Sequence, residues 1–175
     1  MNTLYIKGKS IKPKNQIVLE FNDVQVINPT HEMLIEQGWD VYVIPEPTEE
    51  EKFEQERQNL QNEITNYDVS DAVNIFYMNG MPMWLDKPTR AGLMLRLQAE
   101  EMLGRETTTL WYDVYQFTLP LATAKQLLYL IEAYASACYD NTQMHLAAVK
   151  KLTTMDEIHS YDYTLGYPEK LKFDF

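Results

Sequence analysis

Cysteine, glycine and basic charge are all scarce in this chain, and each scarcity removes a class of explanation. Cys138 is the only cysteine among 175 residues, which excludes an intrachain disulfide framework and fits folding in a reducing compartment. Fifteen Lys and Arg stand against 26 Asp and Glu, a formal net charge of −11. Without a basic stripe to release counterions from phosphates, duplex nucleic acid is not an expected partner, and the same charge disfavours anionic membrane surfaces. Apolar runs are short. The richest, 121–139, is interrupted by Lys125, Gln126 and Glu132, so no membrane span is expected. The opening Met-Asn-Thr-Leu-Tyr-Ile-Lys lacks the apolar stretch of a secretory signal, and synthesis in the cytoplasm is the expectation. None of the six glycines builds a phosphate loop, and no Gly-x-Ser-x-Gly elbow occurs.

Groups that carry reactions are equally sparse. Cys138 and His145 share a helix face but lie about 10.5 Å apart along its axis at 1.5 Å per residue, too far for a thiolate–imidazole pair. His31, His145 and His159 fall in three different elements, so neither a zinc site nor any other metal or cofactor is expected. The adjacent carboxylates Glu100 with Glu101, Asp156 with Glu157, and Glu49 to Glu51 point in different directions on their helices and do not converge on one atom. The expectation is a protein that is not an enzyme.

What is present is an uneven layout. Residues 1–44 hold four basic and five acidic side chains, 45–71 two and nine, and 72–175 nine and twelve. Most of the net negative charge therefore sits in a 27-residue spacer. Thr48 can cap a helix there, Glu49, Glu50 and Glu51 suit its positive start, and no Gly or Pro interrupts it before Tyr67. Phe53, Leu60, Ile64 and Tyr67 form a narrow apolar stripe at spacings of 7, 4 and 3. Two partners suit such a stripe: the helix's own domain, or a second chain in a short coiled coil with these four residues as an oligomer seam. Fewer than three heptads are present, and Arg57 stands where another seam residue belongs.

The expected fold class is α+β. Residues 1–44 read as a small β-rich module, with strands at 4–6, 16–21, 24–27 and 39–44, a loop at 7–15, and a helix that Asn28 caps, Pro29 begins and Gly38 ends. Residues 45–71 are the acidic connector helix. In 72–175, two hairpins are expected, 73–85 around Asn79-Gly80 and 108–119 around Asp113-Val114-Tyr115, able to form one four-stranded sheet. Pro82 confines its strand to an edge or bulge. A helix at 89–103, capped by Thr89 and stopped by Gly104, lies between the hairpins. The longest helical stretch is 121–152, about 48 Å if unbroken, with a bend expected at Asp140-Asn141-Thr142, weak helix formers. Thr154 and Glu157 form a capping-box pattern, and the aromatic tail beyond Tyr161 is expected to pack on the core.

Aromatics gather on the hairpins: Trp84, Trp111, Tyr112, Tyr115 and Phe117, with Met78, Met81, Met83 and Met94 nearby. Such residues are commonly core or cross-strand pairs. The functional alternative is an exposed partner surface made of Trp84, Trp111, Tyr112 and Tyr115, for a protein or a sugar.

Three stretches carry a resemblance. They are Asn28-Pro29-Thr30 with Gly38-Trp39 and the acidic helix after it; Val73-Asn74 with Asn79-Gly80-Met81-Pro82-Met83-Trp84-Leu85-Asp86; and Thr108-Thr109-Leu110-Trp111-Tyr112, Phe117-Thr118-Leu119, Ala133-Tyr134-Ala135 and Cys138-Tyr139-Asp140-Asn141-Thr142. Together they resemble a bacteriophage and prophage domain family of unknown function, whose members are similar to tail-fibre-associated or tail-fibre-assembly proteins, best over 68–175. The resemblance implies a non-enzymatic accessory, assembly or small structural protein that binds a phage tail or fibre protein or itself. The expected location is the host bacterial cytoplasm during synthesis, with the virion tail as a compatible later one. The resemblance assigns no active-site residue. A carbohydrate- or surface-binding module and an acidic inhibitor directed at a host protein are the rival expectations.

Overall fold

The computed structural model describes residues 3–21 and 24–174, and its fold is α+β. The chain divides into two compact units, Met1–Thr48 and Glu49–Phe175.

In the first unit, β1 (Leu4–Lys7) pairs antiparallel with β2 (Ser10–Pro13) on one side and β5 (Asp40–Tyr42) on the other. The stretch expected as a loop at 7–15 thus supplies a strand, turned by Gly8 in the left-handed region. A separate hairpin joins β3 (Val18–Phe21) to β4 (Val24–Ile27). Tyr5, Ile17, Leu19 and Leu34 form the core, with Phe21, Met33 and Trp39 against it. Helix α1 (His31–Glu36) is capped by Thr30, whose hydroxyl accepts from the Met33 N–H, rather than by Asn28. Asn28 instead takes a positive φ of 58° and turns the chain, while Pro29 is buried before the helix. Gly38 closes α1 as expected. Its N–H bonds the Ile35 carbonyl and the Trp39 N–H bonds the Leu34 carbonyl, the two bonds of a Schellman end.

The second unit is organised along one helix. α5 (Leu121–Val149) runs for 29 residues, about 44 Å at 1.5 Å per residue. α2 (Glu49–Asp68) lies antiparallel to its C-terminal half and α4 (Lys87–Met102) antiparallel to its N-terminal half. The helix is unbroken through 140–142, where weak helix formers allowed a bend or break. Asn141 and Thr142 are buried, and their side chains bond outward to other elements instead of competing with the helix backbone. The Asn141 amide donates to the Leu165 carbonyl at 2.9 Å, and the Thr142 hydroxyl donates to Asp68 Oδ1 at 2.7 Å. Tyr167 hydroxyl completes the chain, 2.8 Å from Thr142 Oγ1.

The acidic helix is not a separate connector. Leu60 and Ile64 are buried against Val149 and Ile158, with Phe53, Leu146, Tyr161 and Tyr163 around them, and Tyr67 packs with Val73, Tyr134, Cys138 and Tyr167. All four stripe residues therefore meet their own chain, which corrects the expectation of an oligomer seam and makes the helix from Glu49 part of the second unit rather than a spacer. Arg57 fits within this seam because its guanidinium lies over the Phe53 ring, 5.6 Å from the centroid, while pairing with Glu54.

The hairpins also differ from the single four-stranded sheet. β6 (Phe76–Met78) and β7 (Met81–Met83) pair around Asn79-Gly80, both with positive φ, as a type I′ turn requires. The residues just before β6 form a short helix, α3 (Asp71–Asn74), capped by Ser70. The free edge of β6 is taken by β10 (Lys172–Phe173), parallel, giving the order β10-β6-β7 and leaving Pro82 on the outer strand. β8 (Thr107–Tyr112) and β9 (Tyr115–Pro120) pair only with each other. The two hairpins share one core instead of one ladder: Phe76, Met78, Met83 and Leu119 pack with Leu97, Leu121, Leu127, Leu128 and Ile131. Asp86, not Thr89, caps α4, accepting the Thr89 N–H at 2.8 Å. The capping box at Thr154 and Glu157 is present at the start of α6 (Met155–His159).

Removing the Thr142 hydroxyl leaves both Asp68 and Tyr167 short of a partner. Thr142→Val should cost about 1–3 kcal/mol in urea unfolding, and a loss below about 0.5 kcal/mol would contradict this role. Acid sensitivity has a source at Glu100. Glu100 is buried at the α4–β8 junction, where the Thr108 hydroxyl, then Arg96 and Arg105, hold its carboxyl below the usual carboxylate range. A depressed folded pKa gives stability that is present above the unfolded value of about 4.3 and lost as pH falls through the folded one. Glu100→Gln should therefore be less stable at pH 7 and lose less stability on acidification; parallel unfolding profiles for variant and wild type would sink the assignment.

Candidate functional site

Against α5, the start of α4 lies at Glu132 and the end of α2 at Thr142, with Tyr67 reaching on to Cys138. The gap between these two helix ends is an open groove of about 440 Å³. Its walls come from four separated segments: the end of α2 with Asp68 and Val69, α3 with Val73 and Asn74, the entry to α4 with Trp84, Asp86, Lys87 and Arg90, and α5 from Glu132 to Asp140.

Each wall is fixed by a specific bond. Asn74 Nδ2 donates to the Asp68 and Ser70 carbonyls at 2.6 and 3.0 Å, closing the corner between α2 and α3. Tyr134 hydroxyl donates to the Val73 carbonyl at 2.7 Å and pins α3 to α5; burial pushes this phenol far above its ordinary pKa, so it stays protonated as a donor. Arg90, its side chain only 12% exposed, bonds Glu132 at 2.7 Å and the Leu85 carbonyl at 2.6 Å, fixing the α4 entry against α5. Trp84 follows β7, and its N–H donates to the Tyr112 hydroxyl at 3.2 Å.

The hairpin aromatics divide by strand alternation. Trp111 points outward and is 62% exposed, with Gln116 opposite it and the Thr109–Thr118 hydroxyl pair beside it. Tyr112, the next residue, is half-buried against the core, so it supports the surface rather than forming it. Tyr115 and Val114 are exposed at the hairpin tip. Trp84, at 42% exposed, faces the groove instead, where Tyr139 of α5, 58% exposed, is a second aromatic wall. The expected four-residue surface is thus divided: Trp84 lies in the groove, Trp111 on the outer face of the β8–β9 hairpin, and Tyr115 at its tip on the face of Tyr112. Tyr139 was missed because nothing in the sequence of a long helix marks which aromatic stays uncovered.

The chemistry available in the groove is recognition by stacking, charge and shape. Cys138 lies buried at the floor, and burial pushes its thiol pKa up, the reverse of an activated nucleophile. His145 is engaged elsewhere, 2.8 Å from the Tyr161 hydroxyl and 2.9 Å from the Leu165 carbonyl, and His31 bonds the Tyr5 hydroxyl. Adjacent carboxylates diverge, Glu100 toward Arg96 and Glu101 toward Lys125. Among the described residues, no group of three or more His, Cys, Asp or Glu side chains is placed to hold a metal ion, and no helix is long and apolar enough to cross a membrane.

No protein-family model, no curated protein and no solved structure matches this chain.

Proposed function

We propose that this chain is a non-catalytic accessory or assembly protein of a phage or prophage tail fibre, acting through direct protein contacts. The observation that carries the contact role is the placement of large aromatic side chains on fixed supports with their faces uncovered. Trp84 and Tyr139 flank an open groove, and Trp111 and Tyr115 stand on a hairpin whose inner face is core. Exposed Trp and Tyr on rigid elements supply large contact area at small entropy cost, and such residues dominate the energetics of interfaces. The tail-fibre context rests on the resemblance over 68–175. Self-association through Phe53, Leu60, Ile64 and Tyr67 is not part of the proposal, since those side chains pack within the chain.

A second reading is favoured by one feature. Trp111 lies beside Gln116, Thr109 and Thr118 on an open sheet face, an aromatic platform bordered by amide and hydroxyl groups. That pattern also suits a carbohydrate.

Co-expression with the fibre protein of the same genome separates the two. Under the proposal the two chains co-purify in fixed stoichiometry. The double variant Trp84→Ala with Trp111→Ala should retain its unfolding midpoint within a few degrees yet bind at least about tenfold more weakly, since each exposed aromatic anchor contributes on the order of 1 kcal/mol or more. A folded double variant that binds unchanged would refute the contact surface. Glycan-array binding that disappears in folded Trp111→Ala would establish the carbohydrate reading instead.

A further inference from the structure

The groove is not neutral, and its charges are unequally spent. Four carboxylates line it, from Asp68, Asp86, Glu132 and Asp140, against two cations, Lys87 and Arg90. Arg90 is committed to Glu132 and the Leu85 carbonyl. Asp86 caps α4 and Asp68 accepts from Thr142, so each of these carboxylates has an oxygen engaged within the chain. Asp140 is exposed and has no ion pair among the described residues; the same holds for Lys87. What is left over is negative charge beside two uncovered aromatic faces, Trp84 and Tyr139. A planar cation meets both demands, since a guanidinium stacks on aromatic rings and accepts carboxylates at its edge. The chain's net charge of −11 would draw such a partner from a distance.

We propose that the groove between the α2 and α4 ends receives an arginine side chain from a basic, extended segment of the protein partner, stacked against Trp84 and Tyr139 and facing Asp140. This rests on the reading of the chain as a protein-binding accessory, and it names the partner chemistry at one of its two surfaces. Asp140 contributes attraction and Lys87 opposes it. The bonds of Arg90, Tyr134 and Asn74 hold the walls in place before binding, which lowers the ordering cost.

The intact chain contains three tryptophans, so its indole N–H groups give three resolved NMR signals, with that of Trp84 assigned from Trp84→Phe. The probes are three capped tripeptides, acetyl-Gly-Arg-Gly-amide and its counterparts with citrulline or glutamate at the centre. The arginine peptide should move the Trp84 signal saturably with a Kd on the order of millimolar, leaving those of Trp39 and Trp111 in place. The citrulline peptide, equal in shape but uncharged, should bind about tenfold more weakly or not at all. Asp140→Asn should weaken arginine binding about threefold and Lys87→Gln should tighten it. Because these two exposed substitutions shift affinity in opposite directions, loss of fold cannot mimic the result. Absence of saturable arginine binding, equal binding of citrulline, or preference for glutamate would overturn the inference. So would a Trp84 signal that moves with protein concentration alone, which would place a second copy of this chain in the groove. Each of these failures leaves the accessory role to be decided by the fibre co-expression result.

Discussion

One long helix with two shorter helices laid end to end along it is the constraint on which the second unit depends. α5 presents Ala124, Leu127, Leu128 and Ile131 to the hairpins and α4, then Val149 with Leu146 to α2 and α6. The end of α2 and the start of α4 do not meet over α5, and the groove lies between them. The side chains that let α5 continue unbroken through 141–142 also direct the tail, because Asn141 and Thr142 bond Leu165 and Tyr167. From that anchor the tail continues to β10, which completes the sheet on β6. Packing, tail path and groove are consequences of the same helix.

Several elements were legible because their signals are local. Asn79-Gly80 announces its turn through two left-handed residues, Gly38 its helix end, and Thr154 with Glu157 a reciprocal cap. The acidic helix was legible from its glutamates and the absence of Gly and Pro. What was not legible is the partner of each surface. A stripe of Phe53, Leu60, Ile64 and Tyr67 states that a helix is covered, not by which chain. Local propensity at Asp140-Asn141-Thr142 favours a break, and tertiary hydrogen bonds overrode it. The cap of α4 passed from Thr89 to Asp86, a shift the Asp-Lys-Pro sequence signals once Pro88 is placed in the first turn. β10 is two residues long and has no periodicity to detect.

The groove was beyond sequence reading for a related reason. Asp68, Asn74, Trp84 and Tyr139 are far apart in the chain, and only the antiparallel packing of α2 and α4 on α5 brings them to one cavity. The hairpin surface was half legible. Strand alternation puts Trp111 and Tyr112 on opposite faces, but which face meets the core depends on the register with β9. Function follows the same division. The chemistry that the chain exposes is aromatic and acidic on a fixed frame, and the proposed contact role rests on it.

The central claim is that α2 is covered by its own chain, which native-state hydrogen exchange tests most directly. The account predicts that amides of α2 from Leu60 to Tyr67 are protected to the same degree as those of α5 from Asn141 to Val149, at every protein concentration. Protection of α2 that is weak in dilute solution and grows with concentration would contradict it, and would return the stripe to an interface between chains.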